Sequence, residues 1–156
     1  MPFNIKPPKN DDEYFERMTH AIFQAGLNWK MVENKWPNLR KAFADFSIDR
    51  VARFGDREVE RLMKDTGIIR NEKKIRSVIA NAREFQRIKG EYRSFPGYIR
   101  SFHGSEQGMA YDLQERFKHL GSSSARMYMW MIGMKLKPNA EEKAWIASHD
   151  KEHHGR

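Results

Sequence analysis

Phe23-Gln24-Ala25-Gly26-Leu27-Asn28-Trp29 closes one apolar helical stripe and opens the next element with an indole. Upstream, Phe15, Met18, Ile22 and Ala25 recur at helical spacing behind the cap candidates Asn10 and Asp11. Gly26 supplies the stop, because glycine enters the left-handed region at a helix end without a Cβ clash. Trp29 is thereby placed beside a turn, a large flat aromatic at the mouth of whatever the helix end encloses.

Working outward, every further segment has the same grammar. Trp36-Pro37 is expected to break the next short helix, with Pro37 at a first helical position and Leu39, Phe43 and Phe46 on the buried side. Ser47 caps a short piece through Val51 and Phe54 that Gly55 stops; Asp56 caps Val59, Leu62 and Met63, with Gly67 as a left-handed exit. Asn71 caps the longest amphipathic stripe, Ile75, Val78, Ile79, Ala82 and Phe85, which is expected to end at Gly90. Ser94 opens a short helix with Phe95, Tyr98, Ile99 and Phe102, and residues 103–108 have the composition of a surface loop. Leu113, Phe117 and Leu120 mark a helix ending at Gly121, Ser122-Ser123-Ser124 opens a methionine-rich helix, and Pro138-Asn139 begins a last one through Trp145. No stretch shows the alternation of a half-buried strand, so the fold class is all-α, a compact multi-helix bundle. Residues 1–156 are expected to form a single domain, with 1–10 and 148–156 frayed. Trp36, Trp130 and Trp145 are assigned to packing.

With no cysteine the chain has no disulfide and no thiolate metal site. No apolar run approaches the roughly 20 residues of a membrane span, and Met1–Lys6 lacks a signal-peptide stretch, so the expectation is a cytoplasmic protein with no membrane partner. Lysine plus arginine number 29 against 21 acidic residues, a formal charge of +8. Such an excess favours a polyanion through counterion release, nucleic acid first, although a basic surface also serves solubility alone.

Two places concentrate that charge chemistry. In Leu120-Gly121-Ser122-Ser123-Ser124 a glycine turn precedes a helix N-terminus, where outward N–H groups, the helix dipole and serine hydroxyls suit a phosphate. An ordinary helix-turn-helix connection with a serine cap fits the same letters. In Arg70-Asn71-Glu72-Lys73-Lys74 cations sit at the start of a helix, where they oppose its dipole; an anionic ligand accounts for them, as does a solvated charge run. At Trp29 an indole face suits a stacked base, with Gln24, Phe23, Tyr14 and His20 as secondary pocket candidates; a core aromatic beside a turn is the competing explanation. His149, His153 and His154 lie at helical spacing but without any zinc-motif spacing, so no metal and no cofactor is expected.

The segment Phe23–Trp29, together with Asp65-Thr66-Gly67-Ile68-Ile69-Arg70-Asn71 and the Lys73-Lys74-Ile75 that follows, resembles the 3-methyladenine DNA glycosylase I family of the helix-hairpin-helix superfamily, over residues 11–135. The resemblance implies a helix-hairpin-helix bundle and a monofunctional base-excision repair glycosylase, a monomer that flips an alkylated or otherwise damaged nucleobase from duplex DNA and hydrolyses its N-glycosidic bond. It implies that Trp29 and Gln24 line the base pocket, and that Gly121, Ser122, Ser123 and Ser124 with Arg70, Asn71, Lys73 and Lys74 grip the backbone. It also implies departures. The family's pocket glutamate falls on Ala21, its first hairpin glycine on Arg116, itself a candidate backbone contact because an arginine there can meet phosphate, and its zinc site lacks both cysteines and a histidine in Gly133–Pro138. Glu141 stands where other glycosylases of the superfamily place an aspartate after the hairpin, and is the candidate catalytic carboxylate, although Asn139-Ala140-Glu141-Glu142 is also a capping-box pattern. The alternatives are a lapsed relative that binds DNA or a damaged base without cleaving it, and a basic interaction module.

Overall fold

A computed structural model describes residues 5–154, with side chains through Ser148. Every regular element in that span is helical: α1 Asp11–Gln24, α2 Trp29–Ala42, a tight turn Ala44–Phe46, α3 Ile48–Ala52, α4 Asp56–Met63, α5 Glu72–Tyr92, α6 Phe95–Arg100, α7 Glu106–Arg116, α8 Ser122–Met131 and α9 Ala140–His154.

The helices begin where short polar side chains take up orphan N–H groups. Asn10, Ser47, Asn71, Ser94 and Ser105 each accept from a backbone N–H in the first turn of α1, α3, α5, α6 and α7. The chain at 139 forms the expected reciprocal box: Glu142 N donates to Asn139 Oδ1 at 2.8 Å and Asn139 N donates to Glu142 Oε1 at 2.9 Å. The longest helix, α5, is the central strut, packed on α1, α3, α4 and α6. Its Phe85 stacks on Phe95 with centroids 4.9 Å apart, meets Phe15 of α1 at 5.6 Å and touches Phe117, just after α7, at 5.2 Å. Each such ring contributes about 2–3 kcal/mol by leaving water.

Several expected boundaries shift. Pro37 lies inside α2 rather than at its start. Gly55, not Asp56, is the N-cap of α4, its N–H donating to Glu58 Oε1 at 2.7 Å. Gly67 has no left-handed φ; a Cβ there would crowd Asn38 Nδ2 at 3.1 Å and Asp65 Oδ1 at 3.2 Å, so close approach explains the residue. Helix α5 runs past Gly90 to Tyr92 and stops on Arg93 at φ 72°. Helix α7 begins inside the expected loop and stops at Arg116, so the buried Phe117 and Leu120 belong to the turn before α8.

The described part of the leading segment is docked on the bundle. Arg17 Nη1 donates to Lys6 O at 2.7 Å and to Met131 O at 2.8 Å, which docks the leading segment against the end of α8. The backbone of α9 stays helical to His154; residues 1–4 and 155–156 lie outside the described residues. Trp36 does pack, its Nε1–H on Glu16 and its ring on Phe46, whereas Trp145 is 47% exposed on α9.

A candidate base cavity and its hairpin

The left-handed Gly26, at φ 76°, turns the chain off α1, and Leu27 N then donates back to Gln24 O at 3.1 Å. Beside this turn opens a cavity of about 240 Å³ lined by Ala21, Gln24, Ala25, Gly26, Ser123, Ser124 and Met127. Its walls are two helix ends of opposite polarity: the C-terminal carbonyls of α1, and the N-terminus of α8, whose cap Gly121 offers no side chain and leaves the first N–H groups of Ser122–Ser124 without a side-chain cap. No charged side chain lines it. The volume lies below the roughly 300–1,000 Å³ of drug-sized sites, room for one ring system.

Three long-range contacts bring the basic cluster and the hairpin to this cavity. Lys74 Nζ donates to Ala25 O at 3.2 Å and stands 5.9 Å from the Phe23 ring centre, so the start of α5 is fastened to the end of α1. Asn81, buried in α5, holds the hairpin backbone on both sides: its Nδ2 donates to Lys118 O at 3.1 Å and its Oδ1 accepts from Lys118 N at 2.8 Å. One turn earlier, Ser77 Oγ meets His119 Nδ1 at 2.8 Å. Arg70, Lys73 and Lys118 remain exposed.

The individual candidates separate accordingly. Gln24 and Ala21 line the cavity together with Ser123 and Ser124. Trp29, first residue of α2 and 58% exposed, is not part of the lining; it stands three positions past Gly26. Phe23 and Tyr14 face the core instead: Phe23 is fully buried, and Tyr14 packs on Phe95 at 4.9 Å, burial pushing its phenol up from its ordinary value. His20 points to a different hollow, of about 350 Å³, and bonds Glu33 at 2.7 Å. The side chains around that hollow are tied to one another, Arg40 and Trp36 both on Glu16.

Arg116 is the clearest correction. Its guanidinium bonds Asp112 at 2.8 Å, Glu84 at 3.0 Å and Glu91 at 3.3 Å and lies over the Tyr92 and Tyr98 rings. Burial works against that charge, yet the bonds from Glu84, Asp112 and Glu91 hold its pKa above the ordinary arginine value. A guanidinium so occupied has no donor fork left for phosphate. Asn71 spends its Oδ1 on the cap of α5, accepting from Lys74 N at 3.1 Å, and Lys74 is spent on α1, its pKa lowered by burial. Glu141 is exposed in the first turn of α9 and does not line the cavity; Glu142, beside it, clamps Arg126 of α8. Sequence reasoning missed Asn81, Ser77, Lys118 and His119, since only long-range pairing reveals them.

The residues do not fit the zinc site that the family resemblance brings with it: the chain has no cysteine, and among the described residues no group of three or more His, Cys, Asp or Glu is placed to hold a metal. The side chains of His149, His153 and His154 lie outside the described set.

An all-α bundle whose glycine hairpin leads a helix N-terminus into the wall of a small cavity has the architecture of the helix-hairpin-helix DNA glycosylases. The chain belongs to the methyladenine glycosylase family, whose sequence pattern it matches over residues 5–134. It is 35% identical over 96 residues to DNA-3-methyladenine glycosylase 1 of Escherichia coli (strain K12), covering 62% of this chain and 51% of that protein. A DNA-3-methyladenine glycosylase of Haemophilus influenzae is 28% identical over 97 residues, 62% of this chain and 52% of its own. The matched stretch thus spans about half the length of these curated relatives. Among solved structures, a 3-methyladenine DNA glycosylase I superposes with a TM-score of 0.74 at 29% identity, covering 82% of this chain and 81% of that one. The Staphylococcus aureus enzyme, at 21% identity and a TM-score of 0.74 over 88% of this chain and 85% of its own, shares the fold.

Proposed function

We propose that the protein is a monofunctional DNA glycosylase that releases an alkylated base of the 3-methyladenine kind from duplex DNA. The observation that carries this is the shared cavity: Gln24 and Ala21 from the end of α1 face Ser123 and Ser124 from the start of α8 across one ring-sized space. The hairpin and the exposed Arg70, Lys73 and Lys118 hold the phosphates, and the flipped base enters beside Gly26. Its Watson–Crick edge meets the Gln24 amide, and its face meets Trp29 at the mouth.

An N3-alkylated purine carries a positive charge, which the carbonyl end of α1 favours and the α8 end disfavours, so the ring charge points toward Gln24–Gly26. In the bond-breaking step the glycosidic electron pair leaves with the base, neutralising its ring, and water adds at C1′. With no carboxylate in the cavity wall, the chemistry rests on this good leaving group, which the neutral normal bases are not. The absent carboxylate also favours a second reading, a protein that holds the damaged base without releasing it. The protein acts as a monomer, since one chain supplies both cavity walls, and its substrate places it in the cytoplasm. No described helix is long and apolar enough to cross a membrane.

Incubation of the protein with methylated duplex DNA is expected to release free 3-methyladenine, detected by chromatography, with unmodified bases retained. Retention of every alkylated base together with tight binding of the damaged duplex would favour the second reading.

A further inference from the structure

His119 forms the tip of the hairpin, exposed and in the left-handed region at φ 58°. Its Nδ1 lies 2.8 Å from Ser77 Oγ. That hydroxyl has a single proton, and it is donated to Lys73 O at 2.7 Å, a carbonyl that can only accept. Toward the ring, then, Ser77 accepts, and Nδ1 must carry the hydrogen. The neutral ring is held in its Nδ1–H tautomer, leaving Nε2 as a bare nitrogen with no hydrogen-bond partner among the described residues. Lys73, whose carbonyl takes the Ser77 proton, and Lys118, which precedes His119 in the chain, are both cations.

We infer that His119 is a phosphate contact of the hairpin, aimed by Ser77, and that duplex binding takes up one proton on its Nε2. A neutral Nε2 presents a lone pair to a phosphodiester and repels it; protonation turns the same atom into a charge-assisted donor. The approaching phosphate favours the imidazolium, so affinity and proton uptake are linked. Because Nδ1–H is already committed to Ser77, the ring needs no reorientation to donate from Nε2. This inference rests on the duplex-DNA reading above.

Two measurements test it, one without DNA. Long-range ¹H–¹⁵N correlation spectra of the free protein above neutral pH should show His119 protonated at Nδ1, and Ser77→Ala should abolish that preference; an Nε2–H ring in wild type overturns the inference whatever the protein binds. Fluorescence anisotropy with a labelled duplex should then show wild-type affinity rising several-fold as pH falls from 8 to 5.5, and a salt slope steeper by about one at the acidic end. His119→Gln should lose the acid gain, its affinity no longer rising as pH falls. An acid gain retained in His119→Gln, or absent from wild type, overturns the inference while leaving DNA binding in place; absence of any duplex binding defeats the underlying reading and the inference with it.

Discussion

Gln24 is the amide of the cavity wall, and Trp29 the exposed indole outside it, so the two side chains should fail differently. Removing one hydrogen bond to the base costs about 1.4 kcal/mol, close to tenfold in rate, so Gln24→Ala is expected to lower kcat/KM for base release about tenfold. Trp29→Ala should raise KM and spare kcat, because an indole at the mouth captures the base without touching the breaking bond; single-turnover kinetics separate the cases. The sequence pointed to Gln24 at a helix stop, which does line the cavity, whereas Trp29, expected in the lining, stands outside it. Arg116, Tyr14 and Phe23 were not legible there, since what absorbs them comes from far along the chain. Arg116 is spoken for by Glu84 and Glu91, Tyr14 by Phe95, and no local spacing reports such partners. Arg116→Gln is therefore expected to leave the nearly buried Glu84 with Arg87 as its ion-pair partner and to destabilise the fold by about 1–3 kcal/mol in urea unfolding, with the salt slope of DNA binding unchanged.

Between elements, α5 is what holds the helix connection before α8 in place. Capping residues and apolar stripes made α5 legible as the longest helix, but its end was misjudged, because Arg93 takes the left-handed cap that Gly90 seemed to offer. Its service to the hairpin was invisible: Asn81 lies on a helix face that spacing alone assigns to the core. Asn81→Ala leaves the Lys118 N–H and C=O without their partner, an expected loss of about 2–3 kcal/mol in unfolding free energy. Duplex affinity should fall with it even under conditions where the variant is fully folded, and Asn81→Asp, which keeps only the acceptor, should lie between. At the other end, the Arg126 bond holds the Glu142 carboxyl below its ordinary value, and the bond from Asn139 N–H adds to this. A carboxyl whose folded pKa is depressed stabilises above its unfolded value and loses that contribution as pH falls through the folded one. Acidification below the usual carboxylate range should thus lower the hydrogen-exchange protection factors in the first turn of α9, an acid response that Glu142→Gln is expected to remove.

For the whole molecule, the question is what a formal charge of +8 does. Much of the arginine excess is internally engaged: Arg40 on Glu16, Arg76 on Asp56 and Glu72, Arg83 on the carbonyls of Ala52 and Phe54, Arg126 on Glu142. What is left exposed near the cavity, Arg70, Lys73 and Lys118, is gathered there by the Lys74, Ser77 and Asn81 contacts. That convergence could not be deduced from composition, because the three contacts join positions 37 to 49 residues apart. If the gathered cations meet phosphates, each releases counterions, and the double variant Arg70→Ala, Lys73→Ala should reduce the slope of log K against log salt by about two. Arg40→Ala removes a single charge, from a residue already paired with Glu16, and should leave the slope untouched. Equal slopes in all three proteins would mean that the net charge acts as a diffuse field, serving solubility, and that the cavity is reached without a backbone grip.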